Sequence, residues 1–453
     1  MNTDVAISGL QPRDMTGHQF VVYGDSCSGV PGGVHEATTA AVNAVVARLD
    51  PPPEFICFLG DEVIGLTTSE AQLRSQWRHW LGVEMAWLDR TAIPLYHTTG
   101  NHTTYDAMSE RVFQDVMGHL PANGPEDQAH LTYAVRRDNL LLVFVNTMFT
   151  GLGEGRVETV WLDAILAQHA DALYRLVFGH HPVFPINGFG GEYQREVEHA
   201  NGRAFWDLLV RHQVDAYFGS HMLAFDARVV DGVLHLVTAG AGTKHRMPET
   251  EYLHAMQVAL DAEGLRYQVL DDEGRIRESL DWPPRLPASS TWPALAERDE
   301  ATDPLLRVWQ IGGICPESGG SAQTFVSAGV DDGLPPIWIG LQGPEQRLSV
   351  LLSPQAGRSP QAGRSPHLWY GPTLSPGQAF SIQVALHSGL GPGGMLWRYD
   401  DDAPWNSLSG ASAWGAERLP PITRWQAGIS GSEGGRPFRG RNLRITTMSM
   451  SGA

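Results

Sequence analysis

Cysteine is scarce. Only Cys27, Cys57 and Cys315 occur, far apart, in 453 residues. So odd and sparse a set argues against a disulfide framework and for a reducing compartment. Long apolar runs are missing too, none approaching the ~18 residues that span a bilayer. The opening stretch, MNTDVAISGLQPRDMTGHQF, has no apolar centre of the secretion-signal kind, so the expected location is cytoplasmic. Positive charge is in short supply: 32 Lys and Arg stand against 50 Asp and Glu, a net −18. That balance disfavours adhesion to nucleic acid or to anionic membranes. An anionic substrate stays open, because a bound metal reverses the local field.

What is present suffices for two domains and a large core. From about residue 18 to 270, strand-like and helix-like runs alternate. Gln19–Gly24 is apolar and β-rich. Val42, Val45, Val46 and Leu49 follow at helical spacing, stopping at Asp50-Pro51. Phe55–Leu59 reads as a buried strand. Helical stretches near 70–90 and 104–118 flank the strand Ile93–His97. Leu140–Val145, a helix from Val157 to His169, Tyr174–Phe178, the helix Ala204–His212 and the strand Ala216–Phe218 complete the series. Two hairpins close it, at 228–240 and 255–270. The β-α-β-α order implies an α/β sheet with helices on its faces.

Residues 271–304 read as a polar, Pro-rich linker. Beyond it, Leu348/Val350/Leu352, Phe380/Ile382/Val384/Leu386 and Leu443/Ile445 alternate with polar residues at period two. That grammar predicts an all-β sandwich or barrel over 305–453. The short duplication SPQAGRSPQAGRSP at 353–366 reads as an extended loop.

The chemistry gathers at strand ends. Apolar strands lead into 24-GDSCSG-29, 60-GDE-62, 100-GNH-102, 179-GHHP-182 and 219-GSH-221. In open α/β sheets the carboxyl ends of strands share one crevice, so these five loops are expected to converge. Each motif alone has a plainer reading: Asp25 and Asp61 as helix caps, Asn101 in a turn, His180 as a hydrogen-bonded core histidine. Five in order, each after a strand, point to a metal site.

The series D25-S-C27, G60-D61, G100-N101-H102, G179-H180 and G219-S-H221-M-L223 resembles the calcineurin-like metallophosphoesterases over about residues 17–270. YAVRRDNLLLVFVNT, WLDAIL, LVFGHHPVF and VDAYF fit between the motifs. The resemblance implies an α/β/β/α sandwich (residues 1–270), with the β-sandwich as an accessory domain. It also implies a phosphoester hydrolase using one or two divalent ions, Mn, Fe or Zn. Asp61 would bridge them. Asn101, His180 and His221 would complete one site (site 2). Asp25 and the residues at 27 and 223 would complete the other (site 1). His102 would be catalytic, protonating the leaving group or stabilising phosphoryl charge; its plainer reading is a hydrogen-bonded histidine beside the site.

Both departures from the family pattern fall on site 1. Cys27 and Leu223 stand where the family has histidines. Cys27 reads either as a thiolate ligand with Asp25 and Asp61, or as a small buried residue after a strand. Leu223 cannot coordinate; Asp226 or His245 are nearby substitutes. Ile64 stands where purple acid phosphatases carry a metal-binding Tyr, which removes that subclass. The Gly-rich, acidic segment 185–202 reads as a substrate-shaping or plain surface loop. Two further readings keep the fold: a catalytically silent binding or scaffold protein, and a mononuclear metal enzyme of different chemistry, such as redox work with iron. In the C-terminal domain, Trp397, Tyr399, Trp405 and Trp414 with 400-DDD-402 suggest sugar stacking beside a calcium ion, against core aromatics and a solvated turn. FSIQVALHSGLGPGGMLWRYD there resembles concanavalin-like or laminin-G-like jelly rolls.

Overall fold

Continuous apolar runs form the buried strands of this chain, and their aromatic members join two sheets. The computed structural model describes residues 5–148, 155–186, 196–243, 252–296, 305–328, 336–352, 367–410, 424–429 and 436–450. The chain divides into two units, Met1–Ala227 with Val233–Pro284, and Arg285–Ala453 with Arg228–Gly232.

The first unit begins with β1 (Ile7–Ser8), β2 (His18–Tyr23), α1 (Glu36–Val46), β3 (Leu49–Asp50) and β4 (Ile56–Phe58). It continues through α2 (Glu70–His79), β5 (Leu95–His97), α3 (Ala107–Val116), β6 (Tyr133–Arg137) and β7 (Leu140–Phe144). Then come α4 (Thr159–Gln168), β8 (Tyr174–Phe178), α5 (His199–Arg211) and β9 (Ala216–Gly219). Five strands finish it: β10 (Phe225–Val230), β11 (Val233–Thr238), β12 (His254–Asp261), β13 (Gly264–Asp271) and β14 (Ile276–Trp282).

Two six-stranded sheets result, ordered β14-β13-β12-β2-β4-β5 and β10-β11-β9-β8-β7-β6. Strands β2, β4 and β5 run parallel, as do β7, β8, β9 and β11. Between the sheets, Phe20 of β2 meets Phe178 of β8 edge-on at 6.5 Å and Phe218 of β9 at 6.1 Å. Phe144, Phe178 and Phe218 form a stack at 4.9 and 5.0 Å. All four rings are fully buried, each stabilising the fold by about 1.5–3 kcal/mol. Helix α1 packs on β12 and β13, α2 on α3, and α4 on α5. The expected α/β/β/α sandwich is therefore observed. Its parallel strands aim the carboxyl ends of β2, β4 and β5 one way, and those of β8 and β9 likewise, so the motif loops emerge together.

One expectation needs correction. Residues 271–304 are not wholly a linker, because Ile276–Trp282 pairs antiparallel with β13, Trp282 opposite Leu265. Its first two residues are exposed while Leu280 and Trp282 are buried. The sheet thus continues past residue 271 through an edge strand that carries charge. Among the described residues no helix is long and apolar enough to cross a membrane.

The second unit is all β over its described residues, apart from short 3₁₀ turns. Its strands are β15 (Leu306–Ile314), β16 (Gly320–Ala328), β17 (Ile337–Gly343), β18 (Arg347–Leu352), β19 (His367–Thr373) and β20 (Ala379–His387). They are followed by β21 (Met395–Arg398), β22 (Asn406–Ser407), β23 (Ser409–Gly410), β24 (Trp425–Ala427) and β25 (Arg441–Met450). The sheets run β22-β21-β20-β15-β25 and β23-β19-β18-β17-β16-β24. Trp309, Ile311, Ile382 and Val384 of the first pack with Phe325, Ile339, Val350 and Trp369 of the second in one core. The segment 353–366 and Trp414 lie outside the described residues. Trp405 is buried under the Arg398 guanidinium at 4.4 Å, and Trp397 packs against the core. Asp400 accepts the Asp402 and Ala403 N–H groups, and Asp401 is bound by Gln383 and Arg398, so both carboxylates hold a turn.

Candidate metal centre

The site is built where five strands stop. Asp25 and Cys27 follow β2, Asp61 follows β4, Asn101 and His102 follow β5, His180 follows β8, and His221 follows β9. The turns are tight enough to demand glycine. Gly60 has φ +82°, and a Cβ there would meet the Thr99 carbonyl oxygen and, at 2.9 Å, His180 Nδ1. A Cβ on Gly100 would strike Asp61 Oδ1 and lie 3.0 Å from Asp61 Cγ. The glycines of GD and GNH thus let the ligand loops approach one another. Asp25, Cys27, Asp61 and His221 themselves sit at φ 65, 42, 55 and 69°, the left-handed region.

Asp61, His180 and His221 each bring a ligand atom within 4.8 Å of the others. Asn101 Oδ1 lies between the two rings, 3.0 Å from His180 Nε2 and 2.7 Å from His221 Nδ1. The main chain orients His180: its Nδ1 is 2.7 Å from the Leu59 carbonyl, so Nδ1–H donates outward and Nε2 faces the cluster. His180 Nε2 also lies 3.4 Å from Asp61 Oδ2. All four residues proposed for site 2 are therefore together.

A second group, Cys27, Asp61 and His102, meets the same 4.8 Å limit. Asp61 belongs to both groups, the position of a bridging ligand. Its Oδ1 accepts the His102 backbone N–H at 2.7 Å. Cys27 is anchored by its own N–H to the Asp61 carbonyl at 2.7 Å and by His35 Nδ1 on its carbonyl at 2.8 Å.

Asp25 is close by but differently engaged. Its Oδ2 accepts the Ser220 hydroxyl and, at 2.8 Å, the His221 backbone N–H. Among the described residues it joins neither ligand group. Ser220 and Thr243, which bonds the Asp25 carbonyl through N–H and hydroxyl, were not singled out from the sequence. Only Ser220, inside the GSH motif, offered a signal. Leu223 is half-buried and Asp226 buried; His245 and residues 187–195 lie outside the described residues.

The electrostatics are those of a cation site. Burial pushes the Asp25 carboxyl up to about 6, with His180 opposing and Asp61 reinforcing. For Asp61 burial also favours the neutral form, but His180 and His102 prevail and hold it well below the carboxylate range. Burial would lower His180, yet Asp61 raises it to about 9. Burial and the Asp61 and Asp25 carboxylates push the Cys27 thiol well up. Behind them Glu62, the third letter of GDE, is buried 2.8 Å from His97 Nδ1, and burial keeps its carboxyl protonated well above the usual range. Buried oxygen, nitrogen and sulfur donors with excess negative charge, their histidine rings oriented by carbonyls, fit a divalent ion.

The family model for calcineurin-like phosphoesterases matches residues 18–225. The N-terminal unit belongs to that family. The phosphoesterase unit is also similar to solved structures. A dimetal phosphatase from Danio rerio is 18% identical, with TM-score 0.43, covering 58% of this chain and 98% of that one. GAP50, described as the anchor in the inner membrane complex of Plasmodium, is 13% identical, with TM-score 0.41 and coverages of 58% and 88%. Vps29 from Entamoeba histolytica, complexed with Zn²⁺, is 11% identical, with TM-score 0.29 and coverages of 58% and 99%. No curated protein matches the chain. The phosphoesterase unit has its family's sandwich and a gathered set of metal-ligating side chains.

Proposed function

We propose that this chain hydrolyses phosphoesters with a divalent ion, Mn, Fe or Zn, held by Asp61, Asn101, His180 and His221. The observation that carries this is Asn101 Oδ1 lying within 3.0 Å of nitrogens on both histidines, beside the Asp61 carboxylate. Such an ion supplies Lewis acidity toward a phosphoryl oxygen and makes water acidic enough to attack at neutral pH. The chain's own groups do the rest. The Leu59 carbonyl accepts from His180 Nδ1, which leaves Nε2, once it gives up its proton, as the nitrogen that would take the ion. The His102 N–H restrains Asp61 Oδ1 and holds the carboxylate plane across both ligand groups. Burial of Asp61 and His180 excludes water from the ligand side and strengthens their hold on charge.

The test pairs ion content with cleavage of an aryl phosphate. His221→Ala and Asn101→Ala should lose bound ion and lower kcat/KM by about 100-fold or more. Cleavage that survives complete removal of ions by chelation sinks the proposal. A second reading, a silent binding protein with a single ion, draws on Leu223 and on the engagement of Asp25 by Ser220 and His221. Retention of the ion without cleavage of any phosphoester would select it.

A further inference from the structure

We propose that Cys27, Asp61 and His102 hold a second, thiophilic cation, with His102 as a ligand rather than the proton donor that the family resemblance implies. This rests on the reading above, since Asp61 would bridge to the ion of Asn101, His180 and His221.

Three observations carry it. The first is proximity: one donor atom from each of the three residues lies within 4.8 Å of the others. A tetrahedral ion with bonds of roughly 2.0–2.3 Å sets its ligands about 3.3–3.8 Å apart, so side-chain rotations of about an ångström close the set. The second is the orientation of His102. Its Nδ1 lies 2.8 Å from the Ile64 carbonyl, which only accepts, so Nδ1 donates there and the ring is held beside Asp61. A backbone carbonyl holds a metal-bound histidine in the same way. The third is the engagement of Asp25, the expected ligand: its Oδ2 accepts from the Ser220 hydroxyl and the His221 N–H, it lies outside the Cys27 group, and position 223 is leucine. A soft sulfur at 27, beside the borderline imidazole of 102, stands in for the two histidines of site 1, and such a set favours zinc, iron or cobalt over magnesium.

Reconstitution with cobalt(II) tests this, because a thiolate–cobalt bond gives a near-ultraviolet charge-transfer band independent of turnover. The wild type should bind about two ions per chain and show the band. Cys27→Ser, close in size, should lose one ion and the band with the circular dichroism spectrum unchanged. His102→Ala should lose the same ion. His221→Ala should lose the other ion and keep the band. If His102→Ala keeps both ions and the band but stops cleaving aryl phosphate, His102 is a proton donor and the proposal falls. A wild type with one ion and no band also overturns it, while leaving the adjacent site standing. Failure to bind any ion would instead overturn the function proposed above.

Discussion

At the scale of single residues, the site depends on atoms that never touch a substrate. Gly100 shows this most directly. Its missing Cβ leaves the space taken by the Asp61 carboxylate. Gly100→Ala should therefore displace Asp61, abolish ion binding and destabilise the fold by about 1–3 kcal/mol, seen in ion content and a urea midpoint. Retained stoichiometry would show that the loop yields without cost. The convergence of the candidate ligands was legible in the sequence because Asp, Asn and His follow apolar strands at the motifs. Their support was not. Ser220 reaches Asp25 from 195 positions away, and the Glu62–His97 pair joins two strands 35 positions apart. No local pattern encodes contacts that only sheet register creates.

At the scale of elements, apolar runs such as Tyr174–Phe178 were readable to the residue, because both faces of a parallel strand are buried and its sequence is hydrophobic throughout. Tyr133–Arg137 and Ile276–Trp282 escaped notice as strands. Each carries arginines and lies at a sheet edge, where one side faces water. The first turn of α5, His-Ala-Asn-Gly, has no apolar stripe; Glu198 starts it by accepting the Ala200 and Asn201 N–H groups at 2.9 Å. One element boundary has a pH signature. Asp215, just before β9, is raised to about 6 by burial, although it accepts the Arg175 N–H at 2.8 Å. Its folded pKa exceeds the unfolded one, so its stabilising contribution is complete below about pH 4 and lost as pH rises through about 6. Asp215→Asn should match the wild type near pH 4 and exceed it by about 1–2 kcal/mol above pH 7, read from urea midpoints across pH. A constant difference at all pH values would assign the effect to packing instead.

At the scale of the whole molecule, two units with separate cores predict two unfolding events. Calorimetry of the full chain should resolve them, and ions should move only one. An ion at 100 times its dissociation constant stabilises the unit that binds it by about 2.7 kcal/mol. The phosphoesterase unit's transition should rise with added ion and fall with chelator, while the β-sandwich transition stays fixed. A single transition shifting as one would show that the units unfold together. The change from helix-and-strand alternation to period-two strands beyond residue 305 was visible in the sequence, since burial on one face or two leaves different spacings. The C-terminal aromatics were not readable in the same way. Trp405, offered as a sugar platform, is in fact buried beneath Arg398.

The left-handed backbone at Asp25, Cys27, Asp61 and His221 has a consequence for how such a chain changes over time. Each of these side chains occupies a conformation that glycine would adopt with less strain, at a cost of about 1 kcal/mol or more for cysteine and histidine. Glycine at any of the four would relax the backbone and remove a candidate ligand in a single step, leaving the buried strands untouched.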